Sequence, residues 1–277
     1  MSAVEKWRRS LEALAVPKEI LDAAPDTPWN LPIEPFRRRA EAALAAEPSL
    51  STAKALEALP DGGVVIDVGV GAGAASLPLR HRASLLVGVD ASEEMLSEFR
   101  RIAETQQATV ETYAGAWQDI HPTVPVGDVA VCHHVIYNVP NLELLIKPLT
   151  AHARRRVVLE MTQHHPWAWA ADLWMHFHGL VYPQEPTSDD AEAAINEMGL
   201  MPGRVDLEIE RRSGAHTRQD VVANIRRRLC LSAERDDEII EALGNRLVGH
   251  EGGWSAGPPS QKLTTFWWDT TRSQPDA

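Results

Sequence analysis

The stretch Val64-Val-Ile-Asp67-Val-Gly69-Val-Gly71-Ala-Gly73 decides the fold of this 277-residue chain. A short β-branched run that ends in glycines is typical of a buried parallel strand followed by a tight turn. Glycines are needed there because the backbone turns sharply and because a ligand must approach without interference from Cβ atoms. We expect a helix after the turn, whose exposed N–H groups favour negative charge. The stretch therefore predicts a strand–turn–helix unit that binds a ligand.

Strand-like and helical segments alternate along the rest of the chain. Pro78 is expected to kink or shorten the first helix, and Ser92 is expected to cap the second. Alternation of this kind predicts βαβ units and a doubly wound α/β sheet. The predicted strands are Val64–Val68, Leu85–Val89, Thr109–Tyr113, Asp128–Cys132, Arg156–Met161, Val205–Ile209 and Leu263–Trp268.

The chain divides at Pro60-Asp-Gly-Gly63, a clear breaker of regular structure. Residues 1–60 are predicted to be helices broken by prolines, and we expect them to form an N-terminal cap. Residues 61–277 are expected to form the ligand-binding domain. Within that domain, helical insertions are expected at about 162–186 and 213–260.

The glycine turn fits two cofactors. Gly69-x-Gly71-x-x-Ala74 also matches a dinucleotide fingerprint, as in nicotinamide-dependent oxidoreductases. Asp67 argues against that cofactor, because a carboxylate is repelled by a pyrophosphate and attracted by an ammonium group. S-adenosylmethionine (SAM) offers such an ammonium, and its ribose hydroxyls suit Asp90 at the end of the second strand. The residues favour SAM.

With these residues the chain resembles the class I SAM-dependent methyltransferases, clearly over about Gly62 to Met161 and by order of elements to Trp268. The resemblance implies a Rossmann-like, doubly wound seven-stranded sheet with six parallel strands and one antiparallel strand at Leu263–Trp268. Members often carry Asp where this chain has Ala116. Stacking by Trp117, or a polar contact from Gln118 or Asp119, is the alternative there. The implied cofactor-binding residues are Asp67, Gly69, Val70, Gly71, Gly73, Asp90, Ala91, Ala116, Trp117, Gln118, Cys132 and His133.

Three side chains are candidates for the chemistry. His133 and His134 follow the fourth strand, next to the expected methyl position, and histidine titrates near neutrality. Tyr137 is a further candidate near the same position. A base is needed only if the acceptor is a hydroxyl or an ammonium group that must lose a proton. Alignment of the acceptor with the methyl group is the alternative, and it needs no base.

The insertions suggest a cover over the site. Both are expected to leave from the carboxyl ends of strands, where ligands of such sheets bind, and the resemblance places N-terminal helices on the same face. We therefore expect a three-part helical lid that excludes water. Within 162–186, Ala170, Leu173, Trp174 and Phe177 have the spacing of a helix stripe that faces a core. The alternative is a substrate pocket lined by Trp167, Trp169 and Trp174.

Composition limits the possible partners. The formal net charge is −12, which disfavours nucleic acid, although Arg226–Arg228 are clustered. Two cysteines exclude a disulfide scaffold and a Cys-based zinc site, and the histidines of 162–186 lack metal-ligand spacing, so no metal is expected. No apolar run is long enough to span a membrane and no signal peptide is visible, so a cytoplasmic protein is expected. The oligomeric state is left open.

These observations favour a SAM-dependent methyltransferase that acts on a small molecule beneath a helical lid. Methylation of RNA or protein is the alternative within the same class of enzyme. A nicotinamide-dependent oxidoreductase and a non-catalytic SAM-binding protein are the alternatives outside it. The sequence does not identify the acceptor.

Overall fold

The run that ends at the glycine turn is an interior strand of the sheet. In the computed structural model, which describes residues 1–28, 32–210, 217–250 and 252–270, this strand pairs in parallel with one neighbour on each side. Its side chains are buried on both faces, with Val65 and Ile66 fully inaccessible. A strand covered on both faces needs a continuous apolar run, which is what the sequence provides.

Seven strands form the main sheet in the order β3-β2-β1-β4-β5-β9-β6. β9 runs antiparallel to β5 and β6, and the other pairs are parallel. The predicted sheet of six parallel strands and one antiparallel strand is thus confirmed. A separate two-stranded hairpin is formed by β7 and β8. The strands are β1 Gly63–Val68, β2 Ala83–Asp90, β3 Val110–Ala114, β4 Gly127–His133, β5 Ala153–Thr162, β6 Gly203–Glu210, β7 Leu247–His250, β8 Gly253–Ala256 and β9 Ser260–Asp269.

Helices cover the sheet and extend beyond its carboxyl edge. Those of residues 1–60 are α1 Ala3–Glu12, α2 Lys18–Ala23, α3 Ile33–Ala45 and α4 Leu50–Ala58. The later ones are α5 Glu93–Thr105, α6 Trp117–Ile120, α7 Glu143–His152, α8 Ala171–His178, α9 Ser188–Glu197, α10 Arg218–Arg228 and α11 Asp236–Leu243. None of the helices in the described ranges is both long and apolar enough to cross a bilayer.

The helix expected directly after β1 is absent from the described chain, so that prediction was wrong. Residues 69–82 form turns, with a single 3-10 turn at Leu77–Leu79. The glycines of the turn adopt positive φ, and Pro78 brings no N–H group into the one turn that forms. The sequence therefore stops helix propagation at both ends of this segment.

The insertions and α2 share one apolar cluster. Ala170, Leu173 and Trp174 are buried in it, and Phe177 packs against it, so the helix stripe faces a core as predicted. Buried side chains of α10 and α11 and partly buried ones of α2 complete this cluster, which we call the insertion core. The hairpin β7–β8 was not predicted. Residues 213–216 of the second insertion and residues 271–277 lie outside the described residues.

The N-terminal helix α1 is fixed to the domain that follows. Trp7 is fully buried, and its indole N–H donates to the carbonyl oxygen of Val139 at 3.0 Å. Lys6 donates to Asp190 at 2.7 Å, in the first turn of α9. These contacts join the start of the chain to the segment after β4.

Candidate cofactor and acceptor site

A cavity of about 720 Å³ lies at the carboxyl ends of β1, β2 and β4. The glycine turn and the residues after β2, β3 and β4 line it, together with side chains of α3 and α4. Sheets of this topology bind ligands at this edge, where the connections from neighbouring strands diverge. The cavity contains most of the sequence-predicted cofactor residues.

Each glycine of the turn meets a different neighbour. Gly69 has φ +73°, and a Cβ placed on it would lie 2.1 Å from Val135 Cγ2 in the segment after β4. The same atom on Gly71, at φ +52°, would lie 3.2 Å from Phe36 of α3. On Gly73, at φ +94°, it would lie 2.6 Å from Leu77 and from Phe99. A side chain at any of these positions would displace packed neighbours.

Asp67 is a buried carboxylate without a partner. Its residue is 1% exposed, and neither carboxylate oxygen accepts a hydrogen bond from the described protein. Burial raises the pKa of Asp67 to about 6. Buried polar groups are normally paired, so a carboxylate directly before the glycine turn that lines the cavity fits a ligand with a positive charge. The ammonium group of SAM satisfies this requirement.

Asp90 holds the turn as well as facing the cavity. One carboxylate oxygen accepts from the N–H of Gly71 and the other accepts from the N–H of Ser92, both at 2.9 Å. Each oxygen retains a lone pair, because a carboxylate accepts about four hydrogen bonds in all. Ala91 lies beside it on the cavity wall. The geometry leaves Asp90 able to accept from ribose hydroxyls.

The segment after β3 lines the other end of the cavity through Ala116, Trp117 and Gln118. Trp117 is only 5% exposed, and its N–H lies 3.4 Å from the carbonyl oxygen of Leu145. Its ring meets that of His152 edge-on at 5.0 Å between centroids. Most of the indole is therefore packed in the interior. Gln118 and Asp119 are both exposed, but of these two only Gln118 lines the cavity.

The two histidines after β4 face one carboxylate that sequence reasoning missed. Glu160 Oε1 lies 3.7 Å from His133 Nδ1 and 3.6 Å from His134 Nε2. Glu160 is in β5 directly opposite His133, and all three line the cavity. The signal for it was present: Glu160 is a lone charge in the apolar run Val157-Val-Leu-Glu160-Met, at the carboxyl end of a buried strand.

The electrostatics of this group are set by burial and by its neighbours. Burial, reinforced by Arg39, lowers the pKa of His134 to about 4, so its imidazole is neutral near pH 7. Burial alone would raise the pKa of Glu160, but His133 and His134 outweigh it and hold that pKa below its ordinary value. His133 Nε2 is buried and has no hydrogen-bond partner among the described residues. His133 therefore has Glu160 near one ring nitrogen and no partner among the described residues on the other.

Four of the predicted residues lie beside the cavity and not on its wall: Asp67, Gly73, Cys132 and Tyr137. Cys132 is buried in β4, where burial raises the pKa of its thiol. Tyr137 is buried, burial raises its pKa, and its hydroxyl hydrogen bonds with the backbone and side chain of Thr162. It ties the segment after β4 to the end of β5. Within the described ranges, no group of three or more His, Cys, Asp or Glu side chains is arranged to hold a metal ion.

Comparison with known proteins identifies the domain. Residues 65–155 match the family model of a methyltransferase domain. No curated protein matches the chain. Among solved structures, the YcgJ protein of Bacillus subtilis is similar with a TM-score of 0.54 at 16% identity, covering 84% of this chain and 100% of that one.

A second structure leads to the same fold. It is a protein of Bacillus halodurans C-125, described as a candidate methyltransferase (BH2331). Its TM-score is 0.53 at 13% identity, covering 79% of this chain and 98% of that one. Identities this low support the fold alone, whereas the family match rests on the sequence of the strands and turns that build the cavity. Residues 65–155 therefore form a methyltransferase domain, and the cavity that they help to line fits SAM as the methyl donor.

Proposed function

We propose that this methyltransferase transfers the methyl group of SAM to a small-molecule acceptor enclosed between the glycine turn and the N-terminal helices. The volume and lining of the cavity carry this proposal. Pockets for small ligands measure about 300–1,000 Å³. A space of about 720 Å³ has room for the cofactor and a small acceptor, and side chains of α3 and α4 help to line it.

SAM supplies an activated methyl group on a positively charged sulfur, which leaves as a neutral thioether. The protein has to hold the acceptor in line with that methyl group and, where the acceptor is a hydroxyl or an ammonium group, remove its proton. His133 is suited to take the proton on Nε2, because Glu160 lies beside its Nδ1 and stabilises the imidazolium that results. The proposed roles are base for His133, and orientation of that ring for Glu160. Tyr137 positions the segment that carries the histidines.

The insertions are proposed to form the outer lid. Tyr137 meets His165 of the first insertion edge-on, with 5.5 Å between ring centroids. His165 in turn contacts Tyr182, which stacks on Trp174 of the insertion core. This series of rings connects the segment after β4 with the insertion core. The connection supports a lid that responds to what binds near the histidines.

A macromolecular acceptor has less support. The arginines that suggested RNA binding are engaged within the protein: Arg226 pairs with Asp236 at 2.7 Å, and Arg227 donates to Asn224 at 2.8 Å. Arg228 lies over the ring of Trp167 at 5.3 Å. The net charge of −12 adds a general repulsion of phosphate. We therefore favour the small molecule.

The test is transfer of label from methyl-labelled SAM. The purified chain is incubated with a protein-free metabolite extract, with total RNA, or with a dialysed protein extract. We expect labelled product from the metabolite extract only, and none from the Asp67→Asn variant. Label in RNA or protein would redirect the proposal to that acceptor. Absence of product from all three, while S-adenosylhomocysteine (SAH) still binds, would favour the non-catalytic alternative.

A further inference from the structure

One arginine of the N-terminal cap points into the cavity without a partner. Arg39 of α3 lines the cavity, and it makes no hydrogen bond or ion pair within the described chain. The two preceding arginines on the same helix behave differently, since Arg37 and Arg38 both pair with Glu34. The nearest ring to the Arg39 guanidinium is that of Phe36, at 5.8 Å. Arg39 is thus a cation held in the site by its helix.

The setting of Arg39 calls for an anion. Arg39 is exposed on the cavity wall, and the surrounding protein lowers its pKa by partly removing the guanidinium from water. A cation on the wall of a cavity attracts ligands of opposite charge that enter the cavity. Among charged groups, Glu160 has the strongest effect on the pKa of Arg39, but it lies beyond ion-pair distance of that side chain. The Glu160 carboxylate already faces His133 and His134. A ligand carboxylate would complete the pair.

Two carboxylates enter this cavity in principle, that of the cofactor and that of an acceptor. The carboxylate of SAM is attached to the same carbon as its ammonium group, so it lies beside whatever binds the ammonium. The charges that shift the pKa of Asp67 are those of His133 and Asp90. Arg39 instead shifts the pKa values of His134 and Glu160. Arg39 is therefore on the side of the histidines, where the acceptor belongs.

We propose that Arg39 is the anchor for a carboxylate of the acceptor, so that the substrates are small carboxylic acids methylated at another group or at the carboxylate itself. This inference rests on the proposed function. A guanidinium presents two parallel N–H groups to a carboxylate, which fixes the direction of the acceptor as well as its position. Anchored there, the acceptor has Glu160 and the histidines beside it. Arg39 binds the substrate and takes no part in the proton transfer.

The first experiment assigns the carboxylate to its source. Binding of SAH and of its decarboxylated analogue is measured by calorimetry for the full chain, Arg39→Met and Arg38→Met. Arg38 is a matched control, one residue away and paired with Glu34 outside the cavity. We expect all three proteins to bind SAH within threefold of one another. A tenfold loss of SAH affinity in Arg39→Met, with the decarboxylated analogue unaffected, would assign Arg39 to the cofactor and overturn the proposal.

The second experiment tests the acceptor. A metabolite extract is separated by anion exchange at pH 8 into retained acids and an unretained fraction, and each is incubated with methyl-labelled SAM. We expect labelled product from the acids. Arg39→Met should lower the rate at subsaturating acceptor at least tenfold, through KM, while Arg39→Lys restores part of it and Arg38→Met matches the wild type.

The two proposals fail in different ways. Product from the unretained fraction alone would overturn the carboxylate site and leave the methyltransferase proposal intact. Unchanged KM for the acids in Arg39→Met would do the same. No product from either fraction, with SAH bound normally, would overturn the proposed function and the acceptor site with it.

Discussion

Asp67 combines a cost to stability with a role in binding. Its carboxylate is buried and accepts no hydrogen bond from the described residues. We predict that Asp67→Asn weakens SAH binding by about ten- to a hundredfold, because a hydrogen bond between charged groups contributes about 1.5–3 kcal/mol. Binding of 5′-deoxy-5′-methylthioadenosine, which lacks the amino-acid group, should not change. Calorimetry with both ligands checks this, and an equal loss for both would show that Asp67 only shapes the turn.

The same residue predicts a pH dependence of stability. The pKa of Asp67 is raised from 3.8 to about 6 in the folded protein. Between these values the folded state holds a proton that the unfolded chain has lost, so the free energy of unfolding falls as the pH rises. We predict that Asp67→Asn gains about 2 kcal/mol relative to the wild type between pH 4.5 and 7. Urea unfolding without ligand measures it, and a constant difference across this range would contradict it.

Gly69 and Gly62 form a natural pair of test positions. Both have φ +73°, but a Cβ on Gly62 meets nothing within 4 Å, whereas on Gly69 it would meet Val135. Replacing either by Ala costs about 1–2 kcal/mol for the positive φ. We predict a further loss of about 1–3 kcal/mol for Gly69→Ala from overpacking, largely recovered by adding Val135→Ala. Urea unfolding of Gly62→Ala, Gly69→Ala, Val135→Ala and the double variant checks this, and equal losses for the two glycines would refute the clash.

At the scale of single residues, the sequence predicts a site residue only where a local pattern identifies its surroundings. Asp67 and Asp90 were predicted because glycines and strand ends fix their surroundings. Glu160 and Arg39 were missed because their relevance depends on tertiary neighbours: Glu160 lies opposite His133 across a strand pair, and Arg39 comes from a helix far upstream. A helical sequence with three successive arginines does not indicate which one faces a cavity.

At the scale of elements, local sequence patterns predicted the strands of the main sheet and the residues at which helices begin. Both Thr-x-x-Asp signals formed capping boxes, at Thr187 and Thr217. The helix after β1 failed because positive-φ glycines precede it and Pro78 follows. The hairpin β7–β8 was missed because its strands have four residues each and lie in a segment with helical patterns on one side. Short elements carry too little periodicity to be recognised.

The packing of α1 against the rest of the domain leads to a prediction about stability. Trp7 is fully buried and donates to Val139, which lines the cavity. We predict that Trp7→Ala costs about 3–5 kcal/mol and that Trp7→Phe, which keeps most of the packing, costs about 1–2 kcal/mol for the lost hydrogen bond and the smaller ring. Arg9→Met, on the exposed side of α1, should change stability by less than about 0.5 kcal/mol. Urea unfolding ranks the three, and a cost below 1 kcal/mol for Trp7→Ala would show that α1 is not fixed to the domain.

For the whole molecule, the three parts of the expected lid have different relations to the cavity. Side chains of α3 and α4 line it, whereas no described residue of the two insertions does. The insertions pack instead into a core of their own, connected to the segment after β4 through Tyr137 and His165. Cofactor binding should therefore stabilise the N-terminal cap directly and the insertion core only when an acceptor reaches the histidines.

Hydrogen exchange separates these two responses. We predict that saturating SAH slows amide exchange at least tenfold in α4 and in the glycine turn, because a ligand that binds only the folded state raises the free energy of local opening where it makes contact. Exchange in α10 and α11 should stay within twofold of the ligand-free rate. Protection of α10 and α11 by SAH alone would mean that the cofactor itself closes the insertions, and the acceptor would then have to enter before the cofactor or through a separate opening.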